Sequence, residues 1–181
     1  AHVTAHLKKA KKTADLFAGS GAFAFRIAKV SPVHAIEGDT AATAALDRGR
    51  RGLQGLKSIT VEQRDLFRRP LLVADLKAYD AVVFDPPRAG GEEQAATLAK
   101  SSVRWIAAVS CNPATLARAP RPLNLAFFDP PYPLVLEPGD WQRVIRQFGR
   151  VVDLLADGGF AVLRTPWPFQ HEEVIHKAGR H

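Results

Sequence analysis

The chain has 181 residues, of which 46% are hydrophobic and 24% charged. This is long enough for one well-cored domain and short for two, so we expect a single domain over residues 1–181. Lys and Arg number 25 against 18 Asp and Glu, which gives a net charge of +7. One cysteine excludes an internal disulfide framework, a multi-cysteine zinc site and an iron–sulfur cluster built from this chain alone.

The sequence contains no signal for a membrane or for secretion. No apolar run approaches the roughly 20 residues of a membrane span, and "AHVTAHLKKAKK" lacks the apolar core of a signal peptide. Low cysteine use fits a reducing compartment, so we expect a cytoplasmic protein. The chain has no Met, which suggests a piece of a longer protein.

Short apolar runs alternate with helix-like stretches along the chain, which predicts an α/β fold of the Rossmann-like type. The predicted strands are residues 13–18, 33–38, 58–63, 80–85, 105–110, 125–129 and 160–165. The predicted helices are residues 21–30, 39–52, 91–101, 113–118 and 140–156. We therefore expect a mostly parallel sheet of about seven strands with helices on both faces, and a ligand site at the carboxyl ends of the strands.

One segment interrupts this alternation. "ARAPRPLN", residues 117–124, has two prolines and two arginines where a helix starting at Pro113 should continue. The following "LAFFDPPY" resembles a second copy of "AVVFDPPR" more than it resembles a next strand.

Basic residues cluster in two parts of the sequence. The clusters are Lys8, Lys9, Lys11 and Lys12, and then Arg48, Arg50, Arg51, Arg64, Arg68 and Arg69. Such clusters suit a polyanion such as RNA, and a solvated basic face explains them equally well. Residues 8–12 and 64–69 are the expected RNA track.

The stretch "DLFAGSGAF" predicts a strand, a glycine turn and a helix. Asp15 and Phe17 end the strand, and Gly19, Ser20 and Gly21 form the turn. Glycines let the backbone approach a ligand closely, and a helix N-terminus offers free N–H groups. A Gly-x-Gly turn by itself is a weak signal, because many such turns need small residues for packing alone.

Acidic residues end the next three predicted strands and strengthen that signal. Glu37 in "IEGD" is placed to accept both ribose hydroxyls of a nucleoside, and Asp65 in "EQRDLF" to accept an exocyclic amine. Asp85 in "FDPP" ends the fourth strand, and Asp39 is expected to be a helix N-cap. Without a triple-glycine diphosphate fingerprint, this pattern favours S-adenosylmethionine over NAD.

Five motifs resemble, in order and spacing, the catalytic domain of the bacterial uracil-C5 RNA methyltransferases. They are "DLFAGSGAFAFRIAKV", "VHAIEGD", "QRDLF", "FDPPRAG" and "VSCNPATLAR", and the match covers roughly residues 12–118. The resemblance implies an S-adenosylmethionine cofactor, bound near the strand ends above, and an rRNA or tRNA substrate with uracil carbon 5 as the methylated atom. It implies neither a metal nor a membrane partner.

Cys111 is the candidate nucleophile. A lone cysteine after an apolar strand is more often a small core residue, but Ser110, Asn112 and Pro113 surround this one with a polar turn. A thiolate that adds to carbon 6 of uracil makes carbon 5 nucleophilic. By resemblance, Cys111 is the nucleophile, and Asp85 with Arg88 helps to hold the base or the methionine part of the cofactor.

The base that removes the carbon-5 proton is not assigned by the sequence. The family draws a carboxylate from a C-terminal His-x-Glu segment, and the nearest string here is "QHEEV" with Glu172 and Glu173. Its surroundings do not match, and the start of a surface helix explains both glutamates equally well.

A second motif points to a different target. "NLAFFDPPYPLVL" with "LLADGGFAVLR" resembles methyltransferases of exocyclic amines, in particular the 16S rRNA guanine-N2 group. By that resemblance Asp129 orients the amine and Tyr132 stacks on the flipped base. The chain would then have two fourth and two fifth strands, as in a chimera joined near residues 119–122 or a chain from which residues are missing there.

Two further interpretations remain open at this stage. One is a domain that binds the cofactor or RNA without turnover. The other is an NAD-dependent oxidoreductase, which the absence of Gly-x-Gly-x-x-Gly disfavours.

Overall fold

Seven strands form the framework of the protein. The computed structural model describes residues 10–87, 89–110, 123–128 and 138–163, with positions 130, 133 and 135. The strands are β1 (Thr13–Leu16), β2 (Val33–Glu37), β3 (Ile59–Gln63), β4 (Ala81–Phe84), β5 (Trp105–Ser110), β6 (Leu123–Phe128) and β7 (Leu155–Leu163). They pair in parallel in the order β3-β2-β1-β4-β5-β6-β7, which confirms the predicted parallel sheet.

Helices connect the strands, as expected for parallel neighbours. The helices with described bounds are α1 (Ala24–Ile27), α2 (Thr40–Gly52), α3 (Val73–Leu76), α4 (Glu92–Ala99) and α5 (Pro138–Val152). None of the helices in the described ranges is long and apolar enough to cross a bilayer. The predicted helix at 113–118 lies outside the described residues.

The two faces of the sheet bury separate apolar cores, because alternate strand residues point to opposite faces. On one face, Ile27 of α1 and Leu46 of α2 pack in the cluster that contains Val83. On the other face, Leu98 of α4 packs in the cluster that contains Phe84, and α5 covers β5–β7 through a third cluster. This division follows from right-handed crossovers that run in opposite directions from the centre of the sheet.

Two element boundaries differ from the predictions for reasons of backbone conformation. The helix predicted at 21–30 is only the single turn of α1, because positive φ angles at Phe17, Gly19 and Gly21 keep the preceding residues in turns. Strand β7 begins at Leu155 instead of residue 160 and contains Gly158, which has a φ of +73°. The register with β6 shifts at this point, so the glycines form an irregularity inside the strand instead of ending it.

The expectation that "LAFFDPPY" is a second copy of the fourth strand and not a next strand is wrong. Strand β6 lies beside β5, with Ala107 opposite Leu125 and Ser110 opposite Phe128. The side-chain Oδ1 of Asn124 also accepts a hydrogen bond from the backbone N–H of Ile106 at 2.9 Å. A parallel crossover that continues in one direction places the strand next in sequence beside its predecessor, whatever motif follows it.

Candidate functional site

A cavity of about 880 Å³ opens at the carboxyl ends of the central strands. It lies where the strand order reverses between β1 and β4, the usual ligand position in an open α/β sheet. Five strands contribute the residues that follow or end them. The lining residues are Phe17, Phe23, Glu37, Gly38, Asp39, Asp65, Leu66, Phe67, Asp85, Pro86, Pro87 and Val109.

Phe17 begins the turn after β1 in a strained conformation. Its φ is +61°, in the left-handed region that non-glycine residues rarely adopt. The ring lies 5.4 Å from the Phe67 ring and 5.9 Å from the Phe84 ring, measured between centroids. A Cβ at Gly91 would come within 3.2 Å of the Phe17 ring. Contacts with the two aromatic rings thus hold the Phe17 ring in place, and the lack of a side chain at Gly91 leaves room for it.

Glu37 ties the end of β2 to the glycine turn. Its Oε2 accepts a hydrogen bond from the Gly19 N–H at 2.8 Å, and its Oε1 accepts one from the Asp39 N–H at 2.8 Å. Each carboxylate oxygen has a second lone pair, and the side chain lines the cavity. Glu37 can therefore accept two further hydrogen bonds from hydroxyl donors in the cavity.

Gly21 serves helix packing. It is buried with a φ of +100°, and a Cβ there would lie 2.7 Å from Cε2 of Phe25 and 3.2 Å from Cγ of Leu46. Ser20 beside it is exposed. Gly19, Ser20 and Gly21 are absent from the cavity lining, so the turn shapes the cavity through Phe17 and the Gly19–Glu37 hydrogen bond.

Asp39 and Asp65 both engage the backbone close to them. Oδ1 of Asp39 accepts from the Ala42 N–H at 2.7 Å, which confirms the predicted N-cap. Oδ1 of Asp65 accepts hydrogen bonds from the backbone N–H of Phe67 at 2.9 Å and from the backbone N–H of Arg68 at 3.3 Å. Asp65 thus organises its own turn while it lines the cavity.

Asp15 is the most unusual titratable group in the described structure. It is fully buried on β1, and neither carboxyl oxygen has a hydrogen-bond partner among the described residues. Burial, reinforced by the negative charges of Asp85 and Glu37, raises its pKa to about 8. The backbone N–H of Ala24 favours the charged carboxylate and so acts to lower the pKa, but it is not positioned to form a hydrogen bond. Asp15 is absent from the cavity lining, so its carboxyl lies behind the wall.

Several predicted site residues lie outside the described residues. They are Arg88, Cys111, Asp129, Tyr132, Glu172 and Glu173. The cavity wall does include Val109 of β5, and that strand ends at Ser110, directly before Cys111 in the chain.

Apart from Phe17, the sequence interpretation missed the apolar part of the wall. Phe23, Leu66, Phe67 and Val109 line the cavity without having been predicted. The available signal for Leu66 and Phe67 is that they directly follow Asp65 after β3, and for Val109 that it lies next to the last residue of β5. Phe23 lies at the start of α1 and had no such signal. Phe67 stands out, since 47% of this large apolar side chain is exposed.

The basic clusters are divided in the structure. Arg50 and Arg51 pair with Asp47 on α2, and Arg64 pairs with Glu62. Arg68, 88% exposed, lies 3.6 Å from Asp65 beside the cavity. Lys8 and Lys9 lie outside the described residues. Within the described ranges no group of three or more His, Cys, Asp or Glu could hold a metal ion.

Comparisons with known proteins find similarity to methyltransferases. No protein-family profile matches the chain. An uncharacterized RNA methyltransferase of Brucella melitensis is 65% identical over 116 residues, covering 64% of this chain and 28% of that protein. The 23S rRNA (uracil(1939)-C(5))-methyltransferase RlmD of Chromohalobacter salexigens is 40% identical over 110 residues, covering 60% of this chain and 22% of that protein. The chain thus spans less than a third of the length of these relatives.

A solved structure agrees with the topology. The tRNA (uracil-54, C5)-methyltransferase of Pyrococcus abyssi, in complex with S-adenosyl-L-homocysteine, matches with a TM-score of 0.53 and 25% identity, covering 65% of this chain and 29% of that one. The fold is the Rossmann-like class I methyltransferase fold. The cavity described above lies at the strand ends of this methyltransferase fold.

The packing role of Gly21 predicts a selective loss of stability. Gly21→Ala should lower the free energy of unfolding by roughly 1–3 kcal/mol, because the new Cβ meets Phe25 and the φ is unfavourable. Gly52→Ala is the matched control, since nothing lies within 4 Å of a Cβ there. Urea unfolding measures the free energy of unfolding of both variants. Equal losses in Gly21→Ala and Gly52→Ala would contradict the packing role of Gly21.

The raised pKa of Asp15 predicts a pH-dependent gain from Asp15→Asn. A folded-state pKa of about 8 against an ordinary value of 3.8 means that the folded chain binds more protons between these values, so wild-type stability falls as pH rises through them. Asp15→Asn should therefore be more stable than wild type by on the order of 5 kcal/mol at pH 8 and nearly equal at pH 4. Urea titrations at both pH values would detect this, and a difference independent of pH would refute it.

Proposed function

We propose that this chain is the cofactor-binding and catalytic part of an S-adenosylmethionine-dependent RNA methyltransferase, in one domain, that acts on carbon 5 of uracil. The observation that carries the proposal is the cavity at the ends of five strands, with Glu37, Asp65 and Asp85 around aromatic walls. The similarity to RNA methyltransferases over about two thirds of the chain supports the reaction class.

The cavity residues fit the adenosine part of S-adenosylmethionine. Carboxylates accept hydrogen bonds from donors such as ribose hydroxyls, and each oxygen of Glu37, which lines the cavity, accepts only one hydrogen bond from the backbone. Phe17 and Phe67 offer ring faces for a flat base. Asp65 lies at the same side of the cavity as Phe67, where an exocyclic amine could donate to it. None of the described residues in the lining is a Lys or an Arg, so no described side chain there offers a positive charge to a diphosphate.

Each end of the cavity would hold a different part of the cofactor. Glu37 would bind the ribose and Asp65 the adenine, while Asp85 would face the methionine part or the target base. The Gly19–Gly21 turn would act through Phe17 and through the hydrogen bond from Gly19 to Glu37, and the buried Asp15 carboxyl would lie behind the wall without contacting the cofactor. S-adenosylmethionine supplies an electrophilic methyl group on a positively charged sulfur.

Cys111 would provide the nucleophile. Its thiolate adds to carbon 6 of uracil, and the ring electrons move to the carbonyl oxygen as an enolate. Carbon 5 is then nucleophilic and accepts the methyl group. Loss of the carbon-5 proton to a base restores the double bond and expels the thiolate. Glu172 and Glu173 are weak candidates for the base.

A second candidate is methylation of an exocyclic amine such as guanine N2. Strand β6 ends at Phe128, opposite Ser110 of β5 at the carboxyl edge of the sheet, and the Asp129-Pro-Pro-Tyr132 motif follows directly in the sequence. Asp129 would orient the amine and Tyr132 would stack on the base. The comparisons give no support to a guanine-N2 segment or to a chimeric junction near 119–122, which ranks this candidate second.

The product of methyl transfer to unmodified bulk rRNA tests the proposal. We expect labelled methyl from S-adenosylmethionine to appear as 5-methyluridine when the product nucleosides are identified by mass spectrometry. Cys111→Ala should abolish this product, because no thiolate can add to carbon 6, while S-adenosylhomocysteine affinity should stay within about three-fold.

Each other result identifies a rival. A methylated exocyclic amine that survives Cys111→Ala and disappears in Asp129→Asn would favour the second candidate. Binding of S-adenosylhomocysteine without any product would identify a domain that binds and does not turn over.

RNA binding should depend steeply on salt through the cations beside the cavity. Arg68→Gln should reduce the slope of log Kd against log salt by about 1, because one phosphate contact releases about one counterion. Arg51→Gln is the control, since Arg51 lies on α2, outside the expected RNA track of residues 8–12 and 64–69. Filter binding of bulk rRNA across a salt series measures both slopes. Equal slopes in wild type and Arg68→Gln would remove Arg68 from the RNA track.

A further inference from the structure

Gln94 is buried on α4 and makes hydrogen bonds to the backbone of a distant loop. Only 1% of the residue is exposed. Its Oε1 accepts from the Leu71 N–H at 2.8 Å, and its Nε2 donates to the Leu71 carbonyl at 3.3 Å and to Oγ1 of Thr97 at 2.8 Å. Burying an amide is costly unless it is fully hydrogen-bonded, and here the side chain holds both polar groups of one peptide residue.

Leu71 ends the segment that carries part of the cavity wall. This segment, residues 64–71, is called the wall segment and includes Asp65 and Phe67. At its other end the Arg64 guanidinium donates to the carbonyl oxygens of Arg69 at 2.6 Å and Pro70 at 2.9 Å. The wall segment is therefore closed on itself by Arg64 and attached to α4 by Gln94.

Phe67 borders two open spaces and cannot be positioned by close packing alone. Leu66 and Phe67 line both the main cavity and a second cavity of about 270 Å³. The second cavity is also lined by Gly91 and Gln94. Where neighbouring atoms are missing toward two cavities, hydrogen bonds at the ends of a segment determine its position.

We propose that Gln94 is a positioning residue of the cofactor cavity: by holding Leu71 it fixes the wall segment, so that the Phe67 ring closes the nucleoside side of the cavity over Phe17. This rests on the proposed function in taking the occupant of that side to be adenosine. Gln94 does not line the main cavity, so its effect passes through Phe67. The amide also links the wall segment to α4, which follows the Asp85 loop.

A double-mutant cycle on S-adenosylhomocysteine affinity tests this route. Gln94→Met keeps the approximate shape and removes the hydrogen bonds, and it should weaken binding roughly 10-fold, as should Phe67→Ala. Because Gln94 acts through Phe67, adding Gln94→Met to Phe67→Ala should weaken binding by less than about 3-fold more. Gln142→Met, on the exposed face of α5, is the matched control and should bind as wild type does.

Two further measurements distinguish a positioning role of Gln94 from a general loss of stability: partial recovery of affinity in a conservative variant, and hydrogen exchange of the backbone amides. Gln94→Glu retains an acceptor for the Leu71 N–H and should recover part of the affinity. Hydrogen exchange of the wall segment without ligand should accelerate at least about 10-fold in Gln94→Met and stay unchanged in Gln142→Met. If Gln94→Met does not fold, Gln94→Glu replaces it in the cycle: it loses the bond to the Leu71 carbonyl and should show a smaller loss of affinity, which should again nearly vanish in the Phe67→Ala background.

The outcomes are distinct. A roughly 10-fold loss from Gln94→Met in both the wild-type and the Phe67→Ala backgrounds would overturn the proposed route, as would unchanged exchange in the wall segment. If wild type does not bind S-adenosylhomocysteine, the proposed function fails, and the positioning role is decided by hydrogen exchange alone.

Discussion

The hydrogen bonds of the Glu37 carboxylate connect the two parts of the chain that define the cavity. One oxygen holds the Gly19 N–H of the turn after β1, and the other holds the Asp39 N–H at the start of α2. The turn contains three residues with positive φ, two of them glycines. Because glycine adopts positive and negative φ about equally, the turn sequence alone does not favour this conformation over others. An acceptor at the end of the neighbouring strand gives that turn a single position, and the wall formed by Phe17 follows from it.

A consequence is that one residue serves two roles that are difficult to separate. A substitution of Glu37 that removes ribose contacts also releases the glycine turn. Asp65 has the same character, because it holds the Phe67 and Arg68 amides while it lines the cavity. Carboxylates at the strand ends of this fold are therefore part of its framework. Loss of ligand affinity in such variants is not by itself evidence of direct contact.

The parallel sheet and the meeting of the acidic strand ends could be predicted from the sequence, because parallel strands place their carboxyl ends at one edge regardless of helix length. The extent of α1 and the start of β7 could not. Both depend on whether a glycine adopts a positive φ within an element or ends it, as at Gly21 and Gly158, and the one-letter pattern is the same in both cases. The hydrogen bonds of the Arg64 side chain could not be predicted either. Their acceptors are the backbone carbonyls of Arg69 and Pro70, which come close to Arg64 only when the loop is folded.

At Phe17 the demands of stability and of site geometry oppose each other. The left-handed backbone there favours glycine, whereas the ring contacts with Phe67 and Phe84 need an aromatic side chain. A chain selected only for thermal resistance would drift toward glycine at this position and lose its cavity wall. A chain that keeps Phe17 retains local strain in the unliganded fold, and any flat ligand that packs on the ring would help to offset it. At residue 17, selection for stability alone would thus favour glycine, whereas selection for an aromatic cavity wall would favour phenylalanine.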